Sequence, residues 1–139
     1  MNNKILNINK RSFVADFSWL SDLEKILKKD FKIKQQISIA LVLPKEIKKL
    51  NKVYRRKDKV TDVLSFSLDS KDILGEIIIC LSQAKKQAKE KKQSIKSELQ
   101  LLTVHGTLHL LGYDHEKGDK EFLRQTKMEQ KILEKLNRK

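Results

Sequence analysis

The period of the apolar positions changes several times along the chain, and each change marks an element. Ile5, Leu6 and Ile8 form a short run that predicts a strand over residues 2–9. Trp19, Leu20, Leu23, Ile26 and Leu27 then fall at helical spacing, which predicts a helix of about a dozen residues with Ser18 or Ser21 near its start. The run Gln36 to Leu43 is rich in Ile and Val with partial alternation, hence a second strand, and Pro44 stands where a following helix accepts proline at its first position. That helix ends near Tyr54. A charged loop, YRRKDKVTD, leads to two apolar runs, Val63–Leu68 and Ile73–Leu81, separated by Asp69, Ser70, Lys71 and Asp72, which predicts a hairpin. From Ser82 the pattern is helical: a polar helix to about Lys92, an apolar one from about Ile95 to Leu111 and a last one from about Asp119 to Leu136.

The order β-α-β-α-β-β-α-α-α predicts an α+β fold, a small mixed sheet of about four strands with helices packed on it. With 139 residues, one proline, no internal repeat and no linker, the chain is expected to form one domain over 1–139. No apolar run reaches the roughly 18 residues that span a bilayer, and the start MNNKILNINK has no apolar segment of the secretory kind. Cys80 is the single cysteine, so neither an intrachain disulfide nor a Cys-rich zinc site is available. A soluble, cytoplasmic protein is the expectation.

A formal charge of +13 points to a polyanionic partner, nucleic acid first. The 26 lysines outnumber the five arginines, however, and such a bias also follows from genome base composition, so charge alone does not choose the partner.

The sharper chemical signal is HGTLHLLGYDH, residues 105–115, which holds every histidine in the chain. His105 and His109, four apart on the apolar helix, share a face with Cβ atoms roughly 5–6 Å apart, close enough for two imidazoles to share one ion. Gly112 ends the helix, and the turn brings His115 back to the same point. Each histidine alone reads best as a satisfied core or capping group. Three converging on an apolar helix do not, because an unpartnered polar group there costs on the order of 1–3 kcal/mol. Gly106 costs about 1 kcal/mol relative to alanine in a helix interior, and its place predicts close approach of another backbone or a ligand.

The spacing H-x-x-x-H-x-x-G-x-x-H is that of a metalloprotease, but Gly106 stands where such an enzyme needs its glutamate base, which disfavours peptide hydrolysis. What remains is a zinc ion on His105, His109 and His115 with an open fourth position, an arrangement that lowers the pKa of bound water to about 7. Arg55 is the candidate to position a phosphodiester, since guanidinium offers two parallel hydrogen bonds. It belongs to a basic loop with Arg56, Lys57 and Lys59. Asp114 and Glu116 are candidates to orient a ligand, each weighed against a plain surface role. VLSFS and LGEIIIC read as core, with Phe66, Ile77, Ile79 and Cys80 packing and no chemistry assigned.

The segments YRRKDKVTDVLSFS (54–67), LGEIIIC (74–80) and VHGTLHLLGYDH (104–115), in that order and spacing, resemble the bacterial YbeY family of rRNA-maturation endoribonucleases. The resemblance implies a cytoplasmic, zinc-dependent, single-strand-specific endoribonuclease acting in 16S rRNA processing and ribosome quality control, with the small ribosomal subunit as partner. It places the zinc ligands on His105, His109 and His115 and the functional arginine on Arg55. Two positions depart from the family pattern: Ser67 stands in place of proline and Glu76 in place of aspartate. The attacking group, a metal-bound water or the RNA 2′-hydroxyl, is left open. Two other readings stand beside this one: a zinc-stabilised rRNA-binding factor without activity, and a metallohydrolase of peptides or small molecules.

Overall fold

In the computed structural model, residues 4–68 and 70–138 are described, with the backbone but not the side chain of His115. The element order is β1 (Leu6–Asn9), α1 (Leu20–Asp30), β2 (Gln36–Val42), α2 (Pro44–Arg55), β3 (Val63–Ser67), β4 (Ile73–Cys80), α3 (Leu81–Glu90), α4 (Ile95–Leu110) and α5 (Asp119–Leu136). A single 3-10 turn, His115–Lys117, joins the last two helices. This is the α+β order expected from the sequence, with four strands in one mixed sheet. The expected strand over 2–9 is observed from Leu6, and residues 2 and 3, like Asp69 of the hairpin turn, lie outside the described residues.

The strands lie in the order β1-β2-β4-β3. β1 and β4 run parallel to β2 on either side, and β3 returns antiparallel on the edge of β4 as the expected hairpin. Strand alternation sends Ile37, Ile39 and Leu41 of β2 and Ile77 and Ile79 of β4 to one face, where they form the main core with α1, α3, α4 and α5. Val42, Leu64 and Cys80 face the other way, against Ile47 of α2. The helices thus sit on both faces, with α2 on the smaller one, and β3 forms a sheet edge between α2 and α4.

The helix ends have local causes. Pro44 begins α2 at its first position, and Glu46 accepts a hydrogen bond from the Leu43 N–H at 2.9 Å. Leu43 has no polar side chain to return that bond, so the capping box is half complete. α1 starts at Leu20, between Ser18 and Ser21 as expected, with Trp19 at the N-cap position and no side-chain cap. Ser94 caps α4 by accepting from the Ser97 N–H.

α4 is buried nearly all round, wedged between the sheet, α3 and α5. Its polar side chains are satisfied there. Thr103 and Thr107 donate back to the carbonyls of Leu99 and Thr103, each at 2.8 Å. Glu98, fully buried, accepts from Gln87, Gln93 and Lys91 at 2.8, 2.7 and 2.9 Å. No helix among the described residues is long and apolar enough to cross a membrane.

Candidate metal centre and nucleic-acid groove

α4 can lie tight on the sheet because Gly106 has no side chain. A Cβ there would meet Ile77 Cγ2 at 2.9 Å and Ser65 Oγ at 3.0 Å. The close approach expected at this glycine is therefore to strand side chains, and the Ser65 hydroxyl fastens the contact by donating to the Gly106 carbonyl at 3.2 Å. This seating brings His105 and His109, one residue before and three after, to the β3 edge of the sheet.

The two imidazoles sit half-buried, with ring centroids 4.7 Å apart and Nε2 atoms 3.1 Å apart. His105 Nδ1 faces Glu129 Oε1 of α5 at 2.5 Å. Since a carboxylate only accepts, this contact fixes the tautomer: Nδ1 carries the proton and donates it to Glu129, leaving the Nε2 lone pair aimed toward His109. Gln125 supports the carboxylate, its amide donating to Glu129 Oε1 at 3.2 Å. Its nitrogen also lies 3.1 Å from His105 Nδ1, but two donors face each other there, so that approach is packing and not a bond.

The donor set fits a transition metal. Ligand nitrogens at 2.0–2.1 Å from a tetrahedral zinc are separated by roughly 3.3 Å, and the observed 3.1 Å lies close to that. An imidazole bound through Nε2 with its other nitrogen held by a carboxylate is the usual support for such a ligand. Among the described residues, no third histidine, cysteine or carboxylate joins them in a ligand cluster. The side chain of His115, the third expected ligand, lies outside the described residues.

The backbone path to His115 is clear. The Tyr113 N–H bonds to the Leu108 carbonyl at 3.0 Å and the Gly112 N–H to that of His109 at 3.1 Å, with Gly112 at φ +98°, a region open to glycine. This double bond pattern reverses the chain just after His109. Asp114 then accepts from the Glu116 N–H at 3.0 Å and starts the 3-10 turn at His115. Asp114 is thus a cap.

Arg55 reaches the same place from the other face of the sheet. It is the last residue of α2 and not part of a free loop, and the left-handed Arg56 (φ 58°) ends the helix behind it. Its guanidinium bonds Glu116 at 2.8 Å. A groove of about 1200 Å³ runs along β3, and His105, His109, Tyr54 and Arg55 all line it. Ser67 and Glu76, the two departures from the family pattern, line it as well.

The sequence reading missed Gln125 and Glu129, which it had no reason to connect to the histidines. A signal existed: Gln125 lies on the apolar stripe that continues through Met128 and Ile132, and it is 1% exposed. A polar residue on a buried stripe needs a partner.

An α+β domain with an imidazole pair at the edge of its sheet, beside a wide groove, is the frame in which comparison with known proteins places the chain. The profile of the family described as Endoribonuclease YbeY matches residues 4–137, and the chain belongs to that family. Among its relatives, Endoribonuclease YbeY of Finegoldia magna is 44% identical over 133 residues, covering 86% of this chain and 87% of that one. The protein of the same name from Aquifex aeolicus is 43% identical over 107 residues, 74% of this chain and 71% of the relative. The solution structure of TM1509 from Thermotoga maritima superposes with a TM-score of 0.67 at 32% identity, covering 95% of this chain and 89% of that one.

Proposed function

We propose that this chain is a zinc-dependent, single-strand-specific endoribonuclease of the cytoplasm, acting on rRNA of the small ribosomal subunit in 16S maturation and ribosome quality control. The activity resides in the single domain 1–139. Family membership supports the reaction class. The observation that carries the metal is the Nε2 pair of His105 and His109 at 3.1 Å, with His105 held in the required tautomer by Glu129.

His115 supplies the third imidazole of the proposed site. The chemistry a zinc ion supplies when bound there is Lewis-acid polarisation of a phosphodiester and acidification of water. Glu129 keeps the His105 Nδ1 proton in place, so His105 neither swings nor changes tautomer as substrate arrives. Arg55 binds the non-bridging phosphate oxygens and offsets charge that grows on them during cleavage. It first leaves Glu116, and that exchange is cheap: both side chains are about half exposed, and such ion pairs contribute roughly 0–1 kcal/mol.

The test is cleavage of labelled single-stranded RNA by the zinc-loaded protein beside Arg55→Ala and a chelated sample, with metal content measured on each. Cleavage by the loaded protein, with both controls folded and inactive, supports the enzyme. One zinc per chain with no cleavage, even of ribosomal substrates, replaces it with a zinc-stabilised rRNA-binding factor.

A further inference from the structure

Tyr54 is a large aromatic side chain left 64% exposed on the last turn of α2, one residue before Arg55. Covering such a ring is favourable, and its exposure at the groove leaves a flat face open to a ligand. The ring is not loose. Phe66 of β3 meets it edge to face, with centroids 5.1 Å apart and an interplanar angle of 66°, and Phe66 is itself packed against the core under α2. Tyr54 is thus held from one side and lines the same groove as His105 and His109.

The groove around this ring carries both signs of charge: Arg55, Lys57, Lys59 and Lys117 line it together with Asp62, Glu76, Asp114 and Glu116. Asp62 accepts from the Val63 N–H and Gln87, Asp114 caps the 3-10 turn, and Glu116 pairs with Arg55. A fixed aromatic beside an arginine is an arrangement that binds a single-stranded polynucleotide, a phosphate on the guanidinium and an unpaired base on the ring. Double-stranded RNA keeps its bases stacked inside and has none to offer.

We infer that Tyr54, seated on Phe66, is the stacking platform for one unpaired base next to the phosphate held by Arg55, and so selects single-stranded substrate. The inference rests on the endoribonuclease reading above and adds to it a base subsite. Stacking on an aromatic is tolerant of base identity, so the platform selects strandedness and not sequence.

The experiment uses zinc-loaded protein, Tyr54→Ala, Tyr54→Phe and Tyr54→Trp, with an unstructured RNA and a series of the same RNA carrying one abasic nucleotide at each position in turn. Tyr54→Ala is expected to raise KM roughly 5- to 150-fold with kcat and zinc content unchanged. Tyr54→Phe and Tyr54→Trp retain wild-type KM, because the ring and not the hydroxyl stacks. One abasic position near the cut weakens the wild type but leaves Tyr54→Ala unaffected, the non-additivity expected of two groups in contact. Trp19, the native tryptophan, is buried, so quenching by RNA in Tyr54→Trp reports the new ring. Wild-type KM in Tyr54→Ala, or equal abasic penalties in both proteins, overturns the platform while the enzyme stands. Failure of the wild type to bind or cut RNA overturns both.

Discussion

Replacing Glu129 separates the proposed metal centre from a mere pair of buried histidines. Glu129 Oε1 lies 2.5 Å from His105 Nδ1, on a side chain 14% exposed, so the bond is charge-assisted and shielded from water. Its loss frees His105 to rotate and to place its proton on Nε2, where it would block a metal. Removing such a supporting carboxylate costs 10–100-fold in metal affinity, about 1.4–2.7 kcal/mol. Glu129→Ala is therefore expected to weaken zinc binding by that factor. Glu129→Gln retains an acceptor but not its charge and falls at the low end. Competition with a chromophoric chelator reads the affinity, and the cobalt-substituted spectrum reports the altered ligand field. Melting of the metal-free proteins removes any loss of fold from the comparison. Zinc affinity in folded Glu129→Ala indistinguishable from wild type would refute the argument that the tautomer of His105 is set for a metal.

Gly106→Ala is expected to destabilise the protein by about 1–3 kcal/mol, read from urea midpoints, because the overpacking against Ile77 and Ser65 outweighs the gain in helix propensity. Removal of zinc is expected to leave the circular dichroism spectrum intact and to lower stability by the linkage term, roughly 2.7 kcal/mol when zinc had stood at a hundred times its dissociation constant. Glu46 has its pKa lowered, first by the Leu43 backbone N–H and then by Arg11. Its contribution is thus complete above the ordinary glutamate pKa of about 4.3 and is lost as pH falls through the lower folded value. Glu46→Gln should flatten the acid side of the stability profile over that window and leave neutral pH behaviour of the slope unchanged.

The element order was legible because each segment's apolar period is set by which face it buries. Ile77 and Ile79 are buried on one face while Glu76 and Ile78 turn to the other, and Leu20, Leu23 and Leu27 stripe α1, each as the structure packs them. The insertion of β4 between β2 and β3 was not legible, since strand order depends on crossovers that leave no local pattern. Within the site, the i, i+4 pair His105 and His109 needed only helix geometry to be brought together. Arg55 near Glu116 spans 61 residues and both faces of the sheet, and Glu129 lies on another helix altogether. Such encounters belong to tertiary packing. The side chain of Tyr54 fell in a segment whose charges drew attention away from its one aromatic.

The apolar packing of α5 bears on what a metal would do here. Ile132 is buried in the main core, and Met128, Leu133 and Leu136 pack against it. Full burial of Ile132 alone stabilises by about 1.5–3 kcal/mol, and the three partly buried side chains add to it, so the stripe exceeds what a single polar link to His105 contributes. α5 is therefore docked by its apolar stripe, and that docking sets Glu129 against His105. A structural zinc would have to supply that docking itself, as in small domains that fold only on metal binding. In this chain the apolar stripe of α5 makes that contact with the core. What the packing fixes is the place of Glu129 beside His105, the preorganisation that the proposed metal site calls for.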